Sequence, residues 1–565
     1  MEQFRRDDSL LHYKLLSYLP FMILTNLATL LLSTVDGLVV GNLVGGDALS
    51  AVSIFMPVPT VICIFTICVS AGISTTLSTG MGDIQIENLA PLKKASARLI
   101  FVSALAVGII QIPIAVLLIN AYNLSADMQA MVWQYGIGQM IAAPFGMISS
   151  VCVYELQILG RSKILTVLAV TEGGINLVLD LMFVGVFHMG IAGAGYGTAV
   201  ANVVRCTLSL IYLYKKTDIF KFGKAKIHMD HIRQLLKTGS SDAAYTAMMA
   251  LQSIIMIKII LAAFGESGGA INGVCAFCLS IANVAIMSIQ GSARPLAGIY
   301  TGARDILGVR MLIRRSLLLM LSLLGVMSVI VLINPGLFYR INGVTEIPVY
   351  GLISLRLYVL HFIFRGFNYI FRLYFVNRGD TRFSSIITIT SHATLPIFAL
   401  LFSLLYAPFM WLAYLATECI LLLMSALHFH SCSKKDMQER REDVDVLYLT
   451  VAPDDAIEAS RSIRQYATER GYSERMAYRA ALCMEEMIHY AVDVNGSNKV
   501  RNQLMVKFLP DSCIFTIMDD GRCIMLNEDD ETKELITNYN VIKRIATSVN
   551  YQYVLNLNYT VFNFE

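Results

Sequence analysis

Three polar residues recur at every fourth position within an otherwise apolar stretch, TEGGINLVLD at residues 171–180. They are Glu172, Asn176 and Asp180, and on a helix of 3.6 residues per turn they fall on one face. Ionisable side chains at membrane depth are costly, and they usually mark ion pathways, proton relays or substrate routes. The spacing therefore predicts a functional polar stripe whose partners must come from another helix.

The composition predicts one large membrane domain followed by a soluble domain. The chain has 565 residues, of which 56% are hydrophobic and only 15% are charged, and its mean hydropathy is +0.61. Soluble proteins carry about 25% charged residues. Apolar runs recur from about residue 15 to 430, a charged linker follows at 434–445, and ordinary soluble sequence occupies 446–565. The net charge of +3 is too small to indicate a nucleic-acid partner.

The apolar text divides into about twelve stretches long enough to cross a bilayer, so we expect an all-α membrane protein with twelve transmembrane helices. The predicted spans lie near 15–41, 48–80, 97–120, 130–157, 164–187, 192–214, 235–264, 270–300, 312–335, 347–376, 383–406 and 408–430. The eleven cysteines are scattered among them, and the pair Cys275 and Cys278 has no second pair or histidine nearby. We expect these two thiols to be buried small side chains rather than metal ligands.

The basic residues predict the orientation, because cytoplasmic loops carry an excess of lysine and arginine. Alternate loops hold the basic residues Lys93, Lys94, Arg98, Arg161, Lys163, Lys215, Lys216, Lys221, Lys224, Lys226, Arg304, Arg310, Arg314, Arg315, Arg378, Arg382, Lys434 and Lys435. Both termini and the soluble domain are therefore expected in the cytoplasm, with the chain spanning the cell membrane several times. The start, MEQFRRDDSLLHYK, lacks a small-residue cleavage site, so no removable signal peptide is expected.

An internal repeat predicts two lobes. Residues 47–83 align without a gap on residues 269–305, and ten of the 37 paired residues are identical. We therefore expect two six-helix units of the same topology, at 1–222 and 223–433. Parallel repeats of this kind are typical of transporters that open alternately to the two sides of the membrane.

Several motifs in order resemble the MATE (multidrug and toxic compound extrusion) transporters over roughly residues 10–430. The motifs are VDGLVVGNLVGGDALSAVS, ELQILGRSK, GGINLVLDLMF, GIAGAGYGTAVANVV and GSARPLAGIYTGARD. The resemblance implies a V-shaped fold of two six-helix lobes. It also implies a transporter, not an enzyme, that needs no cofactor and exports organic cations, drugs or metabolites while H⁺ or Na⁺ moves inward.

The same resemblance implies a cation-coupling site in the first lobe at Asp36, Asn176, Asp180 and Thr198. Two carboxylates close together in a low dielectric cannot both stay ionised without a proton or a cation. A Na⁺ ion would be bound as a metal by Asp36 and Asp180, with the Asn176 amide and the Thr198 hydroxyl. A proton relay is the alternative, and a purely structural role in joining helices also stays open.

Four further positions carry open predictions. Other branches of the family place an acidic residue on the seventh helix, where this chain has Met249, so we expect no ion site in the second lobe. Glu172 is either a pathway residue or an interface residue. Lys258 either offsets charge in the second lobe or extends to the outer surface. Arg294 either meets an anionic group of the substrate or pairs with a carboxylate.

The text after residue 445 resembles the ATP-binding fold of sensor histidine kinases and anti-sigma-factor kinases. The resemblance places Glu486 at the Mg²⁺-associated helix and Asp519 at the turn that reads adenine. Tyr490 and Cys523 depart from the family pattern, and no glycine-rich lid precedes VIKRIA. We therefore expect a degenerate α/β domain, with vestigial nucleotide binding at most, that senses a signal or binds a cytosolic protein.

The sequence thus predicts a secondary active antiporter, H⁺- or Na⁺-coupled, that exports small cationic or amphipathic organic solutes and is regulated by its tail. Two alternatives stay open. One is a flippase for lipid-linked oligosaccharides, which a cationic cavity would favour. The other is a membrane receptor that signals through the tail. The expected partners are a small-molecule substrate and membrane lipid.

Overall fold

A computed structural model describes most of the chain. The described residues are 5–82, 90–121, 125–216, 229–265, 267–342, 344, 346–443, 445–495, 499–509, 512–523 and 545–564. Within these ranges, the side chains of a few helical positions, including 31–38, are outside the description.

Seven helices form the first lobe. They are α1 (Ser9–Leu43), α2 (Gly46–Phe55), α3 (Pro57–Gly82), α4 (Ala90–Ala121), α5 (Ala126–Ile158), α6 (Ser162–Asp180) and α7 (Ile191–Lys216). A π-helical turn, Leu181–Val186, extends α6 directly after Asp180.

Eight helices form the second lobe. They are α8 (Met229–Phe264), α9 (Ser267–Gly302), α10 (Ile306–Ile333), α11 (Pro335–Ile341), α12 (Gly351–Val359), α13 (Phe362–Asn377), α14 (Thr381–Leu405) and α15 (Leu412–Asp443). Among the described residues of the whole chain, nine helices are long and apolar enough to cross a membrane. The chain is therefore a mostly helical multi-pass membrane protein, and the count of twelve crossings stays a prediction.

Two predicted spans contain a break. The span near 48–80 consists of α2 and α3, and α3 begins at Pro57, which has no backbone N–H to donate to the preceding helical turn. Its counterpart in the repeat is Leu279, which lies inside the unbroken helix α9. The span near 347–376 likewise consists of α12 and α13.

The two lobes are in close backbone contact along α3, α8 and α9. A Cβ atom added to Gly239 of α8 would lie 1.7 Å from the Cys68 carbonyl oxygen of α3. A Cβ on Gly298 of α9 would lie 2.2 Å from Ser78 Oγ. Small residues permit such approach between membrane helices. Gly298 and Ser78 lie near the ends of α9 and α3 that face the tail, whereas Gly239 and Cys68 lie deeper, in the interior of α8 and α3.

At the opposite end of the bundle, aromatic contacts hold each lobe together. Phe55 packs edge-on against Tyr135 within the first lobe, at 5.9 Å between ring centroids. Phe264 packs against Trp411 within the second lobe, at 6.3 Å. Among the described contacts, the lobes thus touch toward the tail side, and the two aromatic pairs at the far side each lie within one lobe.

The tail is a small α/β domain of two layers. Its elements are β1 (Asp445–Leu449), α16 (Ala456–Glu469), α17 (Glu474–Asn495), β2 (Asn502–Phe508), β3 (Cys513–Asp519), β4 (Ser548–Val554) and β5 (Leu557–Phe564). The strands form one antiparallel sheet in the order β1-β2-β3-β5-β4. The small α/β domain expected after residue 445 is therefore present.

Both faces of this sheet are buried. Along β3, Phe515 points to the core shared with α16 and α17, whereas Met518 joins the core of the membrane domain. Along β5, Phe562 lies in the core shared with α16 and α17, and Val561 lies in the core of the membrane domain. Successive side chains of a strand point to opposite faces, so strands covered on both sides read as continuous apolar runs.

Candidate functional site

The polar stripe of α6 is buried against α7. Glu172, Asn176 and Asp180 are 8%, 2% and 0% exposed. A Cβ on Gly197 of α7 would lie 2.2 Å from Asp180 Oδ1, so only a glycine lets the α7 backbone approach this carboxylate. Thr198 is the next residue, and its hydroxyl donates to the Ala194 carbonyl at 3.1 Å. Asp180 therefore lies where α6 and α7 meet, beside the position of Thr198.

The structure describes the side chain of Asn176, another predicted ligand of the first-lobe site, but not that of Asp36. The Asn176 Nδ2 atom is buried and, within the described part of the chain, has no hydrogen-bond partner. Asp36 lies in α1, but its side chain is outside the described residues. The approach of Asp36 to Asp180 therefore stays a prediction.

Glu172 forms an ion pair with Arg205 of α7, and a guanidinium nitrogen of Arg205 donates to Glu172 Oε2. The two side chains are 10% and 20% exposed. The contact is the one expected of an interface residue. Sequence reasoning missed Arg205, although a single arginine in the apolar run GTAVANVVRC is itself a signal.

Arg294 pairs with a carboxylate of α8, and its role toward a substrate stays a prediction. Its Nη1 donates to Asp242 Oδ2 at 3.4 Å, and Arg372 of α13 donates to Asp242 Oδ1 at 2.8 Å. From the first lobe, Thr75 accepts from Arg294 Nη1 at 3.4 Å, and the Tyr154 ring lies 5.5 Å from its guanidinium carbon. Two buried arginines thus share one aspartate at the junction of the lobes.

A second cluster of charged and aromatic residues, not foreseen from the sequence, lies deeper in the second lobe. Arg365 Nη1 is 3.9 Å from Glu418 Oε1, and Asn368 donates to Glu418 Oε2 at 2.7 Å. The Tyr369 hydroxyl donates to the Tyr245 hydroxyl at 2.8 Å. Two arginines seven residues apart in RGFNYIFR occupy one helix face, which is the signal that sequence reasoning left unused.

Met249 and Lys258 contribute no charge to these clusters. Met249 is 41% exposed, and the Lys258 side chain is exposed on α8. The exposed position of Lys258 agrees with a side chain that extends to the surface. Of the predicted second-lobe residues, only Arg294 joins the buried charges.

A cavity of about 420 Å³ lies between the lobes near the tail. It is bounded by the end of α3, the start of α8 and the end of α13, and its lining includes Thr75, Thr79, Gln234, Asn377 and Arg378. Thr75 also contacts Arg294. The cavity thus adjoins the shared-aspartate cluster.

In the tail, Asp519 is bonded within its own sheet. Its Oδ1 accepts from the Gly521 amide at 2.9 Å and from Asn558 Nδ2 at 2.7 Å. Burial raises the pKa of the Asp519 carboxyl to about 6. Glu486 is half-buried on α17, and the lid region at 524–544 is outside the described residues. Nucleotide binding by Glu486 and Asp519 stays a prediction.

The β4–β5 hairpin of the tail docks on the first lobe. Its turn residues Leu555 and Asn556 have φ of 58° and 52°, the left-handed conformations of a tight hairpin turn. The Asn556 carbonyl accepts from Lys14 Nζ at 2.7 Å, and the Leu555 carbonyl accepts from the Tyr18 hydroxyl. Asn556 Nδ2 donates to the Gly160 carbonyl at 3.4 Å.

The β2 strand of the tail docks on the second lobe. Lys507 Nζ donates to the Ala303 carbonyl at 2.7 Å, and Gln503 Oε1 accepts from the Tyr300 hydroxyl at 3.0 Å. Arg6, from the start of the chain, donates to Asp305 at 2.5 Å and to Gln503 at 2.7 Å. The arginine and the aspartate side chains are both fully buried. One face of the tail therefore contacts both lobes.

The fold defines a class, the mostly helical multi-pass membrane proteins. Within that class, the MatE family model matches residues 22–182. The resemblance to the MATE family is confirmed, and this is a family of membrane transport proteins rather than enzymes.

Curated relatives and solved structures agree with this family. The multidrug export protein MepA of Staphylococcus haemolyticus is 21% identical over 300 residues, covering 52% of this chain and 66% of the relative. MepA of Staphylococcus aureus (strain MRSA252) is 23% identical over 288 residues, covering 49% and 62%. The match thus spans somewhat less than two thirds of these relatives' length.

Two solved structures share the fold of the membrane domain. An outward-facing multidrug resistance MATE transporter of the MOP superfamily aligns with a TM-score of 0.70 at 17% identity, covering 76% of this chain and 97% of that one. A MOP superfamily transporter from Pyrococcus furiosus, described as having a binding pocket of reverse polarity, aligns with a TM-score of 0.67 at 18% identity, covering 75% and 96%.

Proposed function

We propose that this protein is a secondary active transporter that exports small organic solutes across the cell membrane by alternating access. The proposal includes twelve crossings, two six-helix lobes at 1–222 and 223–433, and both termini in the cytoplasm. The buried carboxylate of Asp180 in a MATE fold carries the proposal, together with relatives that are named multidrug export proteins.

The coupling site of the proposed antiporter is at Asp180. A carboxylate with no exposed surface needs a proton, a cation or hydrogen-bond donors to offset the cost of burying its charge, and a change among these states is what ion coupling requires. The neighbouring Asn176 amide is equally buried, and Asp36 and Thr198 complete the expected set. H⁺ or Na⁺ would thus be exchanged at this position.

The backbone at Asp180 supports a moving part. The α6 helix changes to a π-helical turn, Leu181–Val186, directly after Asp180. Such turns are rare and frequently occur at functional sites. A change in the charge of Asp180 would alter its contact with the α7 backbone at Gly197 and so the packing of α6 on α7.

The test is transport in proteoliposomes under an imposed H⁺ or Na⁺ gradient, with a fluorescent organic cation as substrate. We expect Asp180→Asn, alone and with Asp36→Asn, to lower gradient-driven transport at least about tenfold, the range of a lost general acid–base or ion-binding group. Asp127→Asn is the matched control, since Asp127 is an exposed carboxylate at the start of α5. Equal transport by Asp180→Asn and Asp127→Asn would refute the coupling site, and the gradient that drives transport identifies the ion.

The second candidate is movement of an anionic solute or lipid-linked oligosaccharide. Its supporting observation is the charge of the buried clusters in the second lobe, where three arginines, Arg294, Arg365 and Arg372, pair with two carboxylates, Asp242 and Glu418, among the described residues. Arginine is suited to phosphate and carboxylate groups. If anionic, but not cationic, solutes or labelled lipids are moved in the same vesicles, this candidate replaces the export of cations.

The tail has a regulatory role in this proposal. It contacts Lys14 and Gly160 in the first lobe and Ala303 in the second, on the side where the lobes already meet. A transporter must separate the lobes on that side in order to open there. The docked tail therefore opposes opening, and a cytosolic partner that binds the tail would release it.

A further inference from the structure

Three metal-binding side chains meet at the tail side of the second lobe, outside the sites described above. His428 and Cys432 are four residues apart on α15 and so share one helix face. Asp380 precedes α14 and reaches the same point. His428 Nε2 is 2.8 Å from Asp380 Oδ2 and 3.5 Å from Cys432 Sγ. One ligand atom from each residue lies within 4.8 Å of the other two.

These separations suit a tetrahedral ion. Zn²⁺ bonds histidine nitrogen at about 2.0 Å and cysteine sulfur at about 2.3 Å, so two such ligands lie roughly 3.5 Å apart. The Nε2–Sγ distance of 3.5 Å already has this value. The Nε2–Oδ2 hydrogen bond of 2.8 Å has to lengthen by a few tenths of an ångström, which a rotation of the Asp380 carboxyl supplies.

The carboxylate of Asp380 can serve an ion without losing its present role. Its Oδ1 accepts from the Phe383 amide at 3.1 Å and so caps the start of α14. Its Oδ2 faces His428, which is the direction of the third ligand. One oxygen therefore holds the helix while the other is directed at the cluster.

Access and charge also fit a divalent ion. The side chains of His428 and Asp380 are 30% and 28% exposed, whereas Cys432 is buried. An ion can therefore enter from the surface and meet a shielded sulfur. An ionised Asp380 and a Cys432 thiolate together neutralise two positive charges. Binding releases the thiol proton to solvent, and the His428 proton moves from Nε2 to Nδ1 by exchange with solvent, which frees Nε2 for the ion. The positive charge of Arg378, which lies near Asp380, would repel a bound cation. The attraction of the two anionic ligands for the ion has to exceed this repulsion.

We propose that Asp380, His428 and Cys432 form a binding site for a divalent transition-metal ion of the zinc class, with a solvent molecule as fourth ligand. The site joins the first turn of α14 to α15, the helix that runs on to Asp443 and carries the tail. An ion bound there would restrain the helix from which the tail begins. The site is independent of the transport proposal, because its test measures metal binding and not transport.

The test uses Co²⁺ as the probe on the full-length protein, purified in detergent without a histidine tag. We expect one Co²⁺ per chain, with the absorption of a cobalt–thiolate bond, and displacement by Zn²⁺. Cys432→Ser should abolish that absorption, and Asp380→Asn should weaken Co²⁺ binding at least tenfold. Asparagine also caps helices, so Asp380→Asn preserves the start of α14.

Cys419→Ser is the matched control, because Cys419 is an exposed cysteine on the same helix. Its Co²⁺ absorption should equal that of the wild type. A wild-type protein without cobalt–thiolate absorption would overturn the proposal, and so would absorption that persists in Cys432→Ser. Protection of Cys432 from alkylation by Zn²⁺, measured by mass spectrometry, provides a second readout that does not depend on the spectrum.

Discussion

Single residues show how this membrane domain accommodates charge. Buried ion pairs join neighbouring helices, as in the pair of Glu172 with Arg205 and the sharing of Asp242 by two arginines. Breaking such a pair costs more than replacing it, because the remaining charge stays buried without compensation. The α6–α7 pair is the simplest place to observe this.

We predict that Arg205→Met lowers the free energy of unfolding by about 3 kcal/mol, whereas Glu172→Gln combined with Arg205→Met restores most of the loss. The stability of the wild type, the single variant and the double variant is compared by thermal unfolding in detergent, with the monodisperse fraction as the readout. Equal destabilisation by the single and the double variant would show that Arg205 acts through packing and not through its charge.

Helices α3 and α8 show how the lobes are joined. Their backbones touch because Gly72 and Gly239 lack side chains, and a Cβ on Gly72 would lie 2.2 Å from the Leu235 carbonyl oxygen. The obstacle in both cases is backbone, which cannot turn aside as a side chain can. An added methyl group therefore has to push the lobes apart.

We predict that Gly239→Ala loosens the tail side of the lobe junction and increases alkylation of Cys68, whose thiol faces the Leu236 carbonyl at 3.7 Å. Gly273→Ala is the matched control, since a Cβ at this helical glycine meets nothing within 4 Å. Mass spectrometry of the alkylated protein gives the measurement. If Cys68 reacts alike in Gly239→Ala and Gly273→Ala, the close contact does not hold the junction closed.

At the scale of the whole molecule, the tail and the membrane domain form one core. Sheet residues such as Met505 and Tyr559 belong to the same buried hydrophobic cluster as Tyr300 of the membrane domain. Two lysines bridge the tail and the membrane domain. Lys14 of the first lobe donates to the tail, and Lys507 of the tail donates to the second lobe. Loss of both bonds should reduce the restraint on the lobes while leaving the tail's own core intact.

We predict that Lys14→Met with Lys507→Met raises the initial rate of transport in proteoliposomes, because a larger fraction of molecules can then open on the tail side. Lys258→Met, at an exposed lysine of α8, should leave the rate unchanged. Limited proteolysis reports whether the tail has become more accessible. A tail that is released without any gain in rate would contradict the regulatory role.

The sequence by itself determined the class of protein and its general plan. Apolar runs separated by polar breaks predict membrane helices because hydrocarbon excludes charge, and the alternation of helices and strands after residue 445 predicts a small α/β domain. The repeat at an offset of 222 places Leu279 opposite Pro57, yet only the structure shows that the first copy is broken there.

Only the tertiary structure decided which charges meet and where the tail lies. Arg205, Arg372 and Glu418 are distant in sequence from their partners, so no local spacing predicts the pairs. The docking of the tail has the same origin. A strand such as β3 carries apolar side chains on both faces, Phe515 on one and Met518 on the other, and the sequence does not tell whether the second face meets another layer of the same domain or another domain. That choice depends on the shape of both surfaces, which only the folded chain provides.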